Sequence, residues 1–79
     1  MRRSNRLATM QLDVFQQGQD VFIDYPYEDA MFRYEHRTGR VFRKFYGQPE
    51  VEIDRSSTLF HEAISGGQQI TARRYEQGE

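Results

Sequence analysis

"RTGRVFRKFYGQPEVEID", residues 37–54, decides the fold. Two turn signals, Thr38-Gly39 and Gly47-Gln48-Pro49, bracket a run in which Val41, Arg43 and Phe45 alternate with Phe42, Lys44 and Tyr46. After the second turn Val51 and Ile53 alternate with Glu50, Glu52 and Asp54. A period of two marks a strand with unlike faces. A two-residue loop at Thr38-Gly39 pairs His36 with Val41, Tyr34 with Arg43 and Phe32 with Phe45, giving a hairpin over residues 31–46. Phe32, Tyr34, Val41 and Phe45 then share the inner face, with Arg43 as its charged exception. Met31, Arg33, Glu35, Arg37, Arg40, Phe42, Lys44 and Tyr46 share the outer one. A three-residue turn at 47–49 opposes Tyr46 to Glu50, Lys44 to Glu52 and Phe42 to Asp54.

Upstream, "MQLDVFQQGQDVFIDY", residues 10–25, predicts another hairpin around Gln17-Gly18. Val14 meets Val21, Leu12 meets Ile23 and Met10 meets Tyr25, all inward, which leaves Phe15 and Phe22 on the outer face. Pro26 interrupts the strand that precedes residue 31, because it has no N–H to give a ladder. Downstream, "DRSSTLFHEAISGG", residues 54–67, reads as a helix capped by Ser56 or Ser57. Its stripe is Phe60, Ala63 and Ile64, with Leu59 beside it. Gly66 and Gly67 are expected to stop it, one of them in the left-handed conformation. In the tail Ile70 offers a short strand, after which Thr71 caps a last turn "ARRYEQ" closed by Gly78; a plain strand through Ile70, Ala72 and Arg74 is the competing reading.

These elements predict an α+β fold: an antiparallel sheet of about four strands, two hairpins plus a short strand, with one main helix packed on one face. The helix is expected to cover Leu12, Val14, Val21, Ile23, Phe32, Phe45, Val51 and Ile53, leaving the far face solvated. Residues 1–9, with Arg2, Arg3 and Arg6, read as a flexible basic arm, and residues 10–79 as a single small domain. With 79 residues and no cysteine, such a core supplies only roughly 3–5 kcal/mol of net stability. Phe and Tyr must carry it.

Function is bounded by exclusion. A formal charge of −1 gives no global attraction to phosphate or to a membrane surface, and no apolar run has membrane-spanning length. Lack of cysteine fits a cytoplasmic setting. His36 and His61 have no partners at metal-ligand spacing, so no metal or cofactor is expected. Ser57, His61 and Glu62 lack a nucleophile elbow, and an enzyme is not expected. "SGGQQ" follows a helix, whereas phosphate loops precede one. Arg73 and Arg74 read as a solvated end.

The informative surface is the outer face. Phe22, Phe42 and Tyr46, interleaved with Arg33, Arg40 and Lys44, have the composition of a base-stacking platform. Glu50, Glu52, Asp54 and Glu35 fall on the same face and neutralise it, and no RNA-binding signature is present. Four rings there, counting Phe15, still exceed what a solvent face needs; a partner protein, a second copy or the C-terminal segment folded over this face would each account for them. The sequence therefore predicts a small non-enzymatic protein-interaction module: an inhibitor, an adaptor or a homodimer. Its partner would be another protein or a second copy, bound through Phe22, Arg33, Arg40, Phe42, Lys44 and Tyr46. Nucleic acid on that face, aided by the basic arm, is the less favoured alternative.

Overall fold

The computed structural model describes residues 14–78. Strands β1 (Val21–Tyr25), β2 (Ala30–Tyr34), β3 (Val41–Phe45), β4 (Val51–Ile53) and β5 (Gln68–Ile70) form one antiparallel sheet in the order β4-β3-β2-β1-β5. Helix α1 (Thr58–Gly66) packs on one face, and a short helix α2 (Ala72–Gln77) follows β5. The expected α+β class is the one observed, with five strands instead of about four.

The first expected hairpin is corrected. Residues 10–13 lie outside the described residues, but Val14–Gln16 form a 3-10 turn, not a strand. β1 takes β2 on one edge and β5 on the other, with Phe22 opposite Ile70 and Asp24 opposite Gln68. A long-range strand thus occupies the edge that the local hairpin required. Phe15 accordingly belongs to the inner side, with its ring 5.1 Å from Tyr34 and 6.4 Å from Phe60.

The middle hairpin forms, in a different register. Its loop is 36–39, closed by the Glu35 N–H to Arg40 O bond at 2.9 Å and by Gly39 N–H to Glu35 O at 2.8 Å. Gly39 has φ 76°, open to a residue without Cβ. The Glu35 carboxylate accepts the Thr38 hydroxyl at 2.6 Å, and Asp20 accepts the His36 N–H at 3.0 Å. These bonds favour the longer loop. Phe32 therefore faces Arg43, and Tyr34 faces Val41, a slip of two residues. The β3–β4 turn closes through Gln48 N–H to Phe45 O at 2.8 Å, and Phe42 faces Glu52, again a slip of two. An even slip moves neighbours along the strand but leaves every side chain on its predicted face.

Val21, Ile23, Ala30, Phe32, Val41, Phe60 and Ala63 are the buried core between sheet and α1. Ser57 caps α1 by accepting the Phe60 N–H at 3.3 Å. The helix stop differs from expectation: Gly67 has φ −92°, and neither Gly66 nor Gly67 is left-handed. A Cβ on Gly67 would lie 2.7 Å from both Ala63 O and Asp24 O. This glycine permits close approach of helix, β5 and β1. α2 is built as the sequence predicts, with Thr71 Oγ1 accepting the Arg74 N–H at 3.1 Å and Gly78 in the left-handed region at φ 71°.

Both helices lie against β1. α1 contributes Phe60 against Phe32, and α2 contributes Tyr75 against Phe22. Two expectations fail for that reason. The far face is not wholly solvated, since α2 covers part of it and Met31 and Tyr75 are buried there. The helix also does not reach the β3–β4 corner of the inner face, where Phe45 and Val51 remain 37% and 44% exposed.

Candidate protein-interaction surface

Register places Phe22, Arg33 and Phe42 side by side across β1, β2 and β3, with Glu52 next on β4. Lys44 lies in the adjacent row beside Met31. Four of the six residues expected to meet a partner thus form one patch. Tyr46 follows β3 in the β3–β4 turn and Arg40 immediately precedes β3, so the two lie at its opposite ends.

Each of the six is engaged within the chain. Arg33 grips Glu50 with two bonds, Nε to Oε2 at 2.8 Å and Nη2 to Oε1 at 3.1 Å, and reaches Glu35 at 3.3 Å. Its guanidinium also lies 4.1 Å from the centre of the Phe42 ring. Phe22 packs at 5.3 Å on Tyr75, whose hydroxyl donates to Glu50 at 2.6 Å. Lys44 sits 4.1 Å over the same tyrosine ring and donates to the Tyr75 carbonyl. The Tyr46 hydroxyl donates to buried Asp24 at 2.6 Å, and Arg74 approaches that carboxylate at 3.4 Å. Arg74 thus reaches from α2 to β1 while its side chain stays 54% exposed. Arg40 pairs with Glu52 at 3.8 Å in the open, where such a pair contributes little.

Glu35, Glu50 and Glu52 therefore turn toward arginines, whereas Asp54 accepts from Ser56, and among the described residues the face has no uninterrupted cationic shelf. Tyr75 and Glu50 are the organising groups here: the sequence places Glu50 on this face as a neutralising charge and offers the C-terminal segment as a cover, without singling out Tyr75. The capping signal at Thr71 was the available clue that Tyr75 would return over the sheet.

Electrostatics follow from these contacts. The Arg33 hydrogen bond holds the Glu50 carboxyl below its ordinary range. Burial, and then the bond to Asp24, push the Tyr46 phenol up to about 12. Glu50 thus stabilises the fold fully above the unfolded carboxylate value of about 4.3, and this share vanishes as pH falls through its lower folded value. Tyr46 stabilises fully below about 10, with loss as pH rises toward its folded value. Thermal melts across pH are expected to give a plateau with a fall at each end, and Glu50→Gln to make the acid fall shallower. An acid limb unchanged in that variant would contradict the Arg33–Glu50 assignment.

The opposite face carries a different feature. Arg43 lies between Phe32 and Val51 in a row of apolar residues. Its guanidinium is 4.5 Å from the Phe45 ring centre, and its buried Nε–H meets no acceptor among the described residues. A buried donor left in that state costs about 1–3 kcal/mol. Tyr27, Phe45 and Val51 are the large apolar residues exposed among the described ones, and Tyr27 and Phe45 flank the same end of the sheet, where Ala30 pairs with Phe45. No group of His, Asp or Glu suited to a metal ion occurs among the described residues.

Comparison with known proteins supplies the biological frame. The family model for the Tis1 immunity protein matches residues 9–79. The immune protein Tis1 of Pseudomonas aeruginosa (strain UCBPP-PA14) is 38% identical over 61 residues, covering 75% of this chain and 79% of that protein. The fold also matches a chain in the crystal structure of the complex between the type VI effector Tas1 and its immunity protein. There the TM-score is 0.78 and the identity 36%, over 82% of this chain and 87% of the other. Immunity proteins act by binding, so the chain is a small non-enzymatic interaction module of the inhibitor kind. It belongs to the Tis1 immunity protein family.

Proposed function

We propose that this chain neutralises a type VI effector of the Tas1 kind by forming a stable complex with it. The observation that carries the reading is the match, at 36% identity across most of both chains, to a structure in which an immunity protein is bound to Tas1. The fold suits the role: the described residues form a small, internally cross-tied sheet that offers a pre-organised surface, and pre-organisation reduces the ordering cost of association.

Purified chain mixed with Tas1, and separately with any Tas1-like effector encoded beside it, is expected to co-elute as a complex in size-exclusion chromatography. Co-production is expected to restore growth to cells making the effector. Separate elution from both effectors, with growth not restored, would overturn the reading.

A further inference from the structure

We infer that the inner-face corner of Arg43, Phe45 and Val51 is an anchor for the effector, and that it receives a segment presenting a carboxylate beside an apolar side chain. This rests on the proposal that the chain binds a Tas1-like effector. Three observations lead to it. Arg43 occupies a position where its row neighbours are apolar, and its Nε–H has no acceptor among the described residues. Arg33, the other arginine on a strand, holds Glu50 and Glu35; on α2 Arg74 holds Asp24, and Arg73 is exposed. None of the ion pairs among the described residues includes Arg43.

Arg43 is therefore poorly explained by stability, which a leucine in that row would serve better. Its cation is instead held over the Phe45 ring, positioned before any partner arrives. Phe45 and Val51, 37% and 44% exposed, give the flanking apolar contact because α1 lies over β1 and leaves them open. Arginine and aromatic side chains set in an apolar surround are the composition of interface hot spots. A guanidinium in no ion pair among the described residues, beside exposed apolar groups, is complementary to a carboxylate with an apolar neighbour. Val51 also lies on β4, an outer strand of the sheet, so a partner segment has access from the side.

The test compares Arg43→Leu, Val51→Glu and the exposed control Arg73→Ala, reading thermal midpoint, chain mass and affinity for Tas1 and its relative. Arg43→Leu is expected to melt at or above the wild-type temperature while affinity falls tenfold or more. Val51→Glu is expected to remain folded with a similar loss, and Arg73→Ala to bind as the wild type. Wild-type binding with unchanged affinity in both corner variants overturns this inference alone. A markedly lower melting temperature in Arg43→Leu overturns it too, by making Arg43 structural. Altered self-association with intact effector binding assigns the corner to a second copy. If the wild-type chain binds neither effector, the parent proposal fails and takes this one with it.

Discussion

Tyr75→Ala is expected to detach α2 and to lower the stability of the whole chain by about 3–5 kcal/mol, the range for removing a buried aromatic ring. Tyr75 is buried on the outer face, its ring against Phe22 and under Lys44, with its hydroxyl on Glu50. One substitution therefore removes a ring contact, a cation–π contact and the donor that shares Glu50 with Arg33. In a domain whose core supplies roughly 3–5 kcal/mol net, that loss leaves the chain largely unfolded at 37 °C. Tyr75→Phe separates the contributions: it keeps the ring and loses one hydrogen bond to a charged group, about 1.5–3 kcal/mol. Urea unfolding of the two variants reads the difference in midpoint at constant slope. Equal losses in both would show that the hydroxyl alone secures the helix.

Gly67→Ala is expected to destabilise by about 1–3 kcal/mol, and Gly66→Ala to be neutral or stabilising by up to about 1 kcal/mol. The two glycines are adjacent, yet their surroundings differ. A Cβ on Gly67 would sit 2.7 Å from two backbone oxygens and 2.9 Å from Ile23 Cγ2, so relief requires moving the helix end or β5. A Cβ on Gly66 would meet Tyr25 Cε1 at 3.5 Å, an ordinary contact, in a residue that ends α1 without positive φ. Paired melts of the two variants check this. A stable Gly67→Ala would contradict the close approach. Destabilisation by Gly66→Ala would point to a backbone requirement at the preceding position.

The faces of the sheet were readable from residues 31–54 because alternation fixes inside and outside however far the pairing slides. Register was not readable, since it depends on loop length, and the Glu35–Thr38 and Asp20–His36 bonds that lengthen the loop join residues of no distinctive pattern. The first hairpin was misread for a related reason. Its alternation is genuine as a pattern; Ile70 does announce a short strand, but a polar "QQI" carries no signal of which edge it joins. Thr71 and Gly78 did announce α2, because caps are chemical requirements of the backbone itself.

For the interaction surface, composition identified the rings and arginines of the outer face but not their commitments. Arg33 contacts Glu50 and Phe42, Tyr46 contacts Asp24, and Phe22 and Lys44 contact Tyr75, partners remote in sequence of which the last is legible only after the tail is placed. Arg43 was legible as an anomaly from the alternation alone. What the sequence could not show was that α1 lies over β1 and leaves the corner beside Arg43 open.

The pairing of β1 with β5 has a consequence for how the chain is made. Ribosomal synthesis delivers β1 long before the residues that complete its outer border and neutralise Asp24 through Arg74. A nascent product interrupted ahead of Gln68 would carry a bare hydrogen-bonding border and a carboxylate without its cation, and quality-control proteases would meet it as an unfinished chain.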